Sequence, residues 1–155
     1  MFGGKLRCPV CNQYAPDRCT CNKSSIMVKK IVETLGKYRI DVSTEKATQA
    51  AISQVLLESN LAHEREYILD DGRGSLIDFF IRERRLQGAT VGMEQGIGIE
   101  VKIDGGAHDI YRQLERYCKT GKLAAILLVT NRAMGLPKEI AGVPAYYFAL
   151  GRQWL

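Results

Sequence analysis

Ile97-Gly98-Ile99-Glu100-Val101-Lys102-Ile103 is the stretch on which the reading of this chain turns. Side chains alternate along an extended strand, so Ile97, Ile99, Val101 and Ile103 share one face, and Gly98, Glu100 and Lys102 the other. The pattern predicts a strand with its apolar face on a core and an acid and a base two residues apart on its second face. An ordinary half-solvated strand alternates in the same way. Its chemistry therefore has to be read together with its neighbours.

The preceding apolar run is Leu76-Ile77-Asp78-Phe79-Phe80-Ile81. Asp78 stands among apolar residues, with Leu76 and Phe80 expected on its own face. A carboxylate there costs several kcal/mol unless it is paired or binds a metal. Lys102 and Arg73 offer pairing. One acid on this strand, with an acid and a lysine on the next, also supplies hard oxygen ligands for Mg²⁺ or Mn²⁺. Such an ion can hold a phosphate oxygen and activate water, and Lys102 can orient that water or offset negative charge.

Working outward, apolar spacing predicts a short helix over 25–35 ended by Gly36, and a longer one over 45–60 capped by Ser43 or Thr44. Ala47, Ala50, Ala51, Val55 and Leu56 or Leu57 are its expected inner stripe. A hairpin is expected at Asp70-Asp71-Gly72-Arg73-Gly74, between strands at 65–69 and 75–82. A charged loop or hairpin follows over 82–96. Then come the strand quoted above, a helix over 107–119, a buried strand over 123–129, a helical turn around Pro137 and a last strand over 143–150. The expected class is α/β, a mixed sheet flanked by helices.

Asp78 followed by Glu100-Val101-Lys102 resembles the signature of the PD-(D/E)XK nuclease superfamily, with Ile77 where the usual proline stands. Gln113-Leu114-Glu115-Arg116-Tyr117 resembles the QxxxY motif of its RecB-like members. The resemblance covers about two-thirds of the chain, from Thr44 to Leu150. It implies a restriction-endonuclease-like αβββαβ core and hydrolysis of DNA phosphodiester bonds with Mg²⁺ or Mn²⁺, in repair, recombination or replication. It also implies that Asp78 and Glu100 hold the metal, with the Val101 carbonyl and Glu45 as further ligands. Lys102 then assists the attacking water, and Gln113 and Tyr117 support the site. Gln49, one turn beyond Glu45, shares its face. Expected partners are DNA and either a second copy of the chain or a larger replication or repair assembly. The rival reading is a non-catalytic DNA-binding or assembly module that keeps the fold.

The front of the chain carries a separate signal. Cys8, Cys11, Cys19 and Cys21 form a C-x2-C-x7-C-x-C cluster. Two close cysteine pairs can surround one tetrahedral Zn²⁺, and four thiolates leave no open position for chemistry, so a structural zinc is expected. Disulfides are the alternative. An N-terminus without an apolar core segment predicts a reducing, cytoplasmic setting, which favours metal. Cys118 reads as a core thiol.

The net charge of +5 is uneven. Residues 1–40 hold eight Lys/Arg against two acids, a balance of +6, and the other residues hold 14 bases against 15 acids, or −1. Such a front can attract a polyanion or simply solvate a face. Lys29, Lys30, Arg112 and Arg116 are the candidate DNA contacts. The expected division is a zinc-binding segment over 1–24, a basic helical linker over 25–43 and the core over 44–155. The longest apolar run, Leu123 to Val129, is far short of the ~20 residues of a membrane-spanning helix.

Overall fold

The central feature of the computed structural model is a six-stranded sheet in the order β1-β2-β3-β4-β6-β5. The structure describes residues 23–82 and 95–151. The four-cysteine segment and most of the expected loop over 82–96 lie outside the described residues. The elements are α1 (Lys23–Leu35), α2 (Glu45–Glu58), β1 (Glu64–Ile68), β2 (Leu76–Arg82), β3 (Gly96–Lys102), α3 (Ala107–Cys118), β4 (Leu123–Thr130), β5 (Glu139–Ile140) and β6 (Val143–Ala149). β1, β2 and β3 pair antiparallel. β3, β4 and β6 run parallel, and β5 closes the edge antiparallel to β6. The class is mixed α/β.

The helices cover both faces. Phe79, Ile81, Ile99, Val101, Leu127 and Val129 pack with α1 and α2. Ile77, Phe80, Ile126 and Leu128 pack with α3. Covering both faces accounts for the unbroken apolar run of β4, in which successive side chains enter opposite clusters. On α3 the buried positions Ile110, Leu114, Tyr117 and Cys118 recur at helical spacing. Burial pushes the Cys118 thiol up to about 12, as befits a core thiol.

Three expectations need correcting. The segment expected as a basic linker supplies Val28, Ile31 and Leu35 to the core, so α1 is an integral layer of the fold. The inner stripe of α2 is Thr48, Ile52, Val55 and Leu56, while Ala50 is exposed and Leu57 is 59% exposed. Ile52 and Leu56 take the inward positions because they have far more apolar area to bury than alanine. No helical turn forms around Pro137. Ile140 is drawn into the α3-side core and pairs with Val143 through a turn at Ala141 and Gly142, which have φ of 49° and 79°.

Thr44 is the residue that caps α2, its hydroxyl accepting from the Ala47 N–H at 3.0 Å. This cap puts Glu45 in the first turn, at the end of α2 from which it reaches β3.

Candidate active site

The β2–β3 ladder runs from Arg82 opposite Gly96 to Phe79 opposite Ile99. One more step would set Asp78 opposite Glu100. There the strands exchange side-chain bonds instead. The Val101 N–H donates to Asp78 Oδ2 at 2.8 Å, and the Asp78 N–H lies 3.4 Å from Glu100 Oε2. Two strand N–H groups are thus held by carboxylates, which keeps buried backbone polar groups partnered.

The alternation of β2 slips at the same place. Ile77 and Phe80 enter the α3-side cluster, and Phe79 and Ile81 the α1/α2-side cluster. Asp78 therefore does not share a simple face with Leu76 and Phe80 as strict period two predicts. Across β1, Glu66 holds the opposite register position and adopts φ 49°. A non-glycine residue in that left-handed region marks a local distortion of the strand pair.

Helices from both layers reach this split. From α2, Gln49 Nε2 donates to Asp78 Oδ1 at 3.0 Å. From α3, Gln113 Nε2 donates to Glu100 Oε1 at 3.0 Å and to the Tyr117 hydroxyl at 2.6 Å. The Tyr117 hydroxyl in turn donates to the Leu76 carbonyl at 2.8 Å. Gln113 and Tyr117 lie four residues apart on α3, so both reach the same end of the sheet. Lys102 Nζ lies 3.3 Å from Glu100 Oε1 and 3.5 Å from Glu45 Oε1. The second Glu45 oxygen lies 3.4 Å from the Ile103 N–H.

The electrostatics are strained by burial. Glu100 is only 2% exposed. Burial, followed by the charge of Asp78, pushes its carboxyl up to about 8, against the pull of Lys102. Burial likewise pushes Asp78 up to about 6, opposed by the Val101 N–H and Lys102 and reinforced by Glu45. Burial alone would lower the Lys102 ammonium. Glu100, Glu45 and Asp78 outweigh it, so its pKa lies above the usual range. Burial and then Glu100 raise the Tyr117 hydroxyl. Three carboxylates thus lie about one lysine, and burial, with the charge of neighbouring acids behind it, makes Asp78 and Glu100 hold protons to higher pH.

Asp78, Glu100 and Glu45 offer the hard oxygens that Mg²⁺ or Mn²⁺ prefers, and the surplus acid charge fits a divalent cation. As the side chains stand, no three His, Cys, Asp or Glu groups among the described residues gather at metal distance. The Lys102 ammonium occupies the space between Glu45 and Glu100. The bond that Val101 makes here is through its N–H. For zinc, Cys8, Cys11, Cys19 and Cys21 all lie outside the described residues.

The expected site residues Glu45, Asp78, Glu100, Val101, Lys102, Gln113 and Tyr117 come together in this one place. The four expected DNA contacts do not. Lys29 and Lys30 are exposed on α1, Lys29 beside Glu33 at 3.9 Å, whereas Arg112 and Arg116 are exposed on α3 across the sheet. Sequence reasoning missed Arg65, whose positive charge acts on Asp78. Its signal was register, since it pairs with Phe79 next to that acid. His63 stands apart, bonded to Ser53 Oγ at 2.9 Å and to the Leu61 carbonyl at 3.0 Å. Comparison with protein-family models and with curated proteins finds no match to this chain. Among the described residues no helix is long and apolar enough to cross a membrane.

Proposed function

We propose that this protein is a Mg²⁺- or Mn²⁺-dependent nuclease that hydrolyses DNA phosphodiester bonds. The observation that carries the reading is the meeting of Asp78, Glu100 and Lys102 at the β2–β3 split, with Gln113 bonded to Glu100. Residues of two separate sequence motifs, Asp78…Glu100-Val101-Lys102 and Gln113…Tyr117, thereby form one hydrogen-bonded unit. This supports the resemblance to the PD-(D/E)XK superfamily and its RecB-like members.

Asp78 and Glu100 would hold the cation, with Glu45 within reach through the Lys102 side chain that both glutamates contact. When bound, the cation polarises a phosphoryl oxygen and lowers the pKa of a water molecule. The protein's own groups do the rest. Gln49 and the Val101 N–H fix the two oxygens of Asp78, one each. Gln113 fixes Glu100, and Tyr117 fixes Gln113 through a hydroxyl that accepts from its amide and donates to the Leu76 carbonyl of β2. Amide partners of this kind orient ligand oxygens. Lys102, charged and held among carboxylates, is placed to orient the attacking water or to stabilise charge on the phosphoryl oxygens.

The test is incubation of the protein with single-stranded, duplex, flapped and four-way-junction DNA in Mg²⁺ or Mn²⁺. Cleavage by the wild type that is lost in Asp78→Ala and Lys102→Ala supports the reading. No cleavage of any substrate, or equal cleavage by the variants, defeats it. The ion pairs of Lys102 with Glu45 and Glu100 favour one second reading, a DNA-binding scaffold in which lysine itself supplies the balancing charge. That scaffold would show no carboxylate-dependent Mn²⁺ binding by calorimetry.

A further inference from the structure

A groove of about 580 Å³ lies between the β1–β2 turn and α3, lined by Asp71, Arg73, Arg112, Glu115, Arg116 and Lys119. Its two walls come from distant parts of the chain. Arg112, Glu115 and Arg116 on α3 and Lys119, its C-cap, fall at i, i+3, i+4 and i+7, so they form one stripe. Arg73 projects from the turn opposite.

The two acids of the groove are already engaged. Asp71 accepts from the Arg73 N–H at 2.9 Å and the Ser75 N–H at 3.2 Å, and also binds the Ser75 hydroxyl. Glu115 lies 3.4 Å from Lys119 Nζ. Among the described residues, Arg73, Arg112 and Arg116 have no ion-pair partner. The groove therefore gathers four cationic side chains against two carboxylates, with three guanidinium groups outside any ion pair, and guanidinium is suited to bidentate binding of phosphate.

One residue of the groove is linked to the carboxylate site through α3. The Arg116 guanidinium lies 5.7 Å from the centre of the Tyr117 ring. Tyr117 bonds Gln113, and Gln113 bonds Glu100. No aromatic ring or side-chain amide lines the groove among the described residues. The described lining offers charge and no platform on which bases stack in single-strand grooves.

We infer that this groove binds the sugar–phosphate backbone of a nucleic-acid strand, independently of base sequence, and leads it to the carboxylate site. The inference rests on the nuclease reading for the identity of the strand. Binding is read separately from cleavage, so the two can fail independently.

The experiment measures fluorescence anisotropy of labelled mixed-sequence and homopolymer single strands with the full chain in buffer without Mg²⁺ or Mn²⁺, across a salt titration. Each phosphate neutralised on a single strand contributes about 0.7 to the slope of log affinity against log salt. Arg73→Ala and Arg112→Ala should each flatten the slope by about that amount, and the double variant by about twice as much. Mixed-sequence and homopolymer strands should behave alike. Circular dichroism confirms that the variants are folded. Unchanged slopes in the folded double variant overturn the proposal. So does competition by polyglutamate equal to that of an oligonucleotide of the same charge, which would mark a general polyanion surface. Cleavage by the wild type with unchanged variant slopes would leave the nuclease reading standing and remove the groove from it.

Discussion

The Val101 N–H points at Asp78 Oδ2 across 2.8 Å, at the step where β2 and β3 cease to pair. A side chain has taken a ladder bond that a carbonyl would ordinarily make. The exchange holds a costly carboxylate in the sheet and opens the gap through which both helix layers reach it.

Gln49 secures the other oxygen of Asp78. Gln49→Leu keeps the bulk and removes the donor. We expect Mn²⁺ affinity and cleavage to fall 10- to 100-fold, the usual effect of losing a partner that orients a metal ligand. The melting temperature should move little, since Gln49 is not among the fully buried residues. Mn²⁺ titration calorimetry beside a cleavage assay checks this. A fall in melting temperature with unchanged Mn²⁺ affinity would make Gln49 merely structural.

The two raised carboxyls set a pH dependence. Between their ordinary values and about 6 for Asp78 and about 8 for Glu100, the folded chain holds protons that the unfolded chain has released. Stability then falls as pH rises. The contribution of these groups is fully present below about pH 4 and is lost progressively up to about pH 8. Urea unfolding in EDTA should show a decline across this window that Glu100→Gln flattens. An identical pH profile for the variant would contradict it.

Divalent cation should reverse that trend. Mg²⁺ or Mn²⁺ bound only by the folded state stabilises it by about 2.7 kcal/mol at a hundredfold excess over Kd. The increase in melting temperature should be larger at pH 8 than at pH 5, where protons compete for the carboxylates. Asp78→Asn should abolish most of it. Calorimetric scans with and without the ion decide the matter.

β3 has no room for a Cβ at two positions unless a neighbour moves. A Cβ at Gly98 would meet Ile77 Cδ1 at 2.4 Å and Leu123 Cδ2 at 2.9 Å, both ends of side chains that can shift. At Gly96 it would meet the Phe80 ring at 2.5 Å and the Ile81 carbonyl oxygen, part of the backbone, at 2.6 Å. Gly98→Ala should cost about 1–3 kcal/mol, the usual range for overpacking. Gly96→Ala should cost more. Denaturant midpoints of the two variants test the order.

Much of this was legible in the chain. The strict alternation of 97–103 and the unbroken apolar run of 123–129 located the two central strands, because pleat geometry leaves few alternatives. Glu100 and Lys102 stood out only beside Asp78 on the preceding strand, and Gln113 and Tyr117 only through the motif resemblance. The slip at Asp78 was not legible. It depends on Glu66 and on Val101, which are neighbours of Asp78 only across strand pairs. The β5 edge was hidden for a similar reason. Its two residues have no period of their own, and the pull of Ile140 into the core becomes visible only once α3 is in place. The unpartnered arginines of the groove also emerged only from the fold, since Arg73 and Arg112 are 39 positions apart in the chain.

The split between β2 and β3 has a bearing on when the protein becomes competent during synthesis. Glu45 and Gln49 belong to the first helical layer, and Gln113 and Tyr117 to the second. β3 becomes an interior strand only when β4 pairs along its far side. A growing polypeptide that stops before Leu123 has both acids but no β4 beside β3. Contacts so distant in sequence form late, because loop closure must precede them. The acids are therefore translated early and assembled late. The strand that carries Glu100 and Lys102 is enclosed on both edges only after β4 has been made.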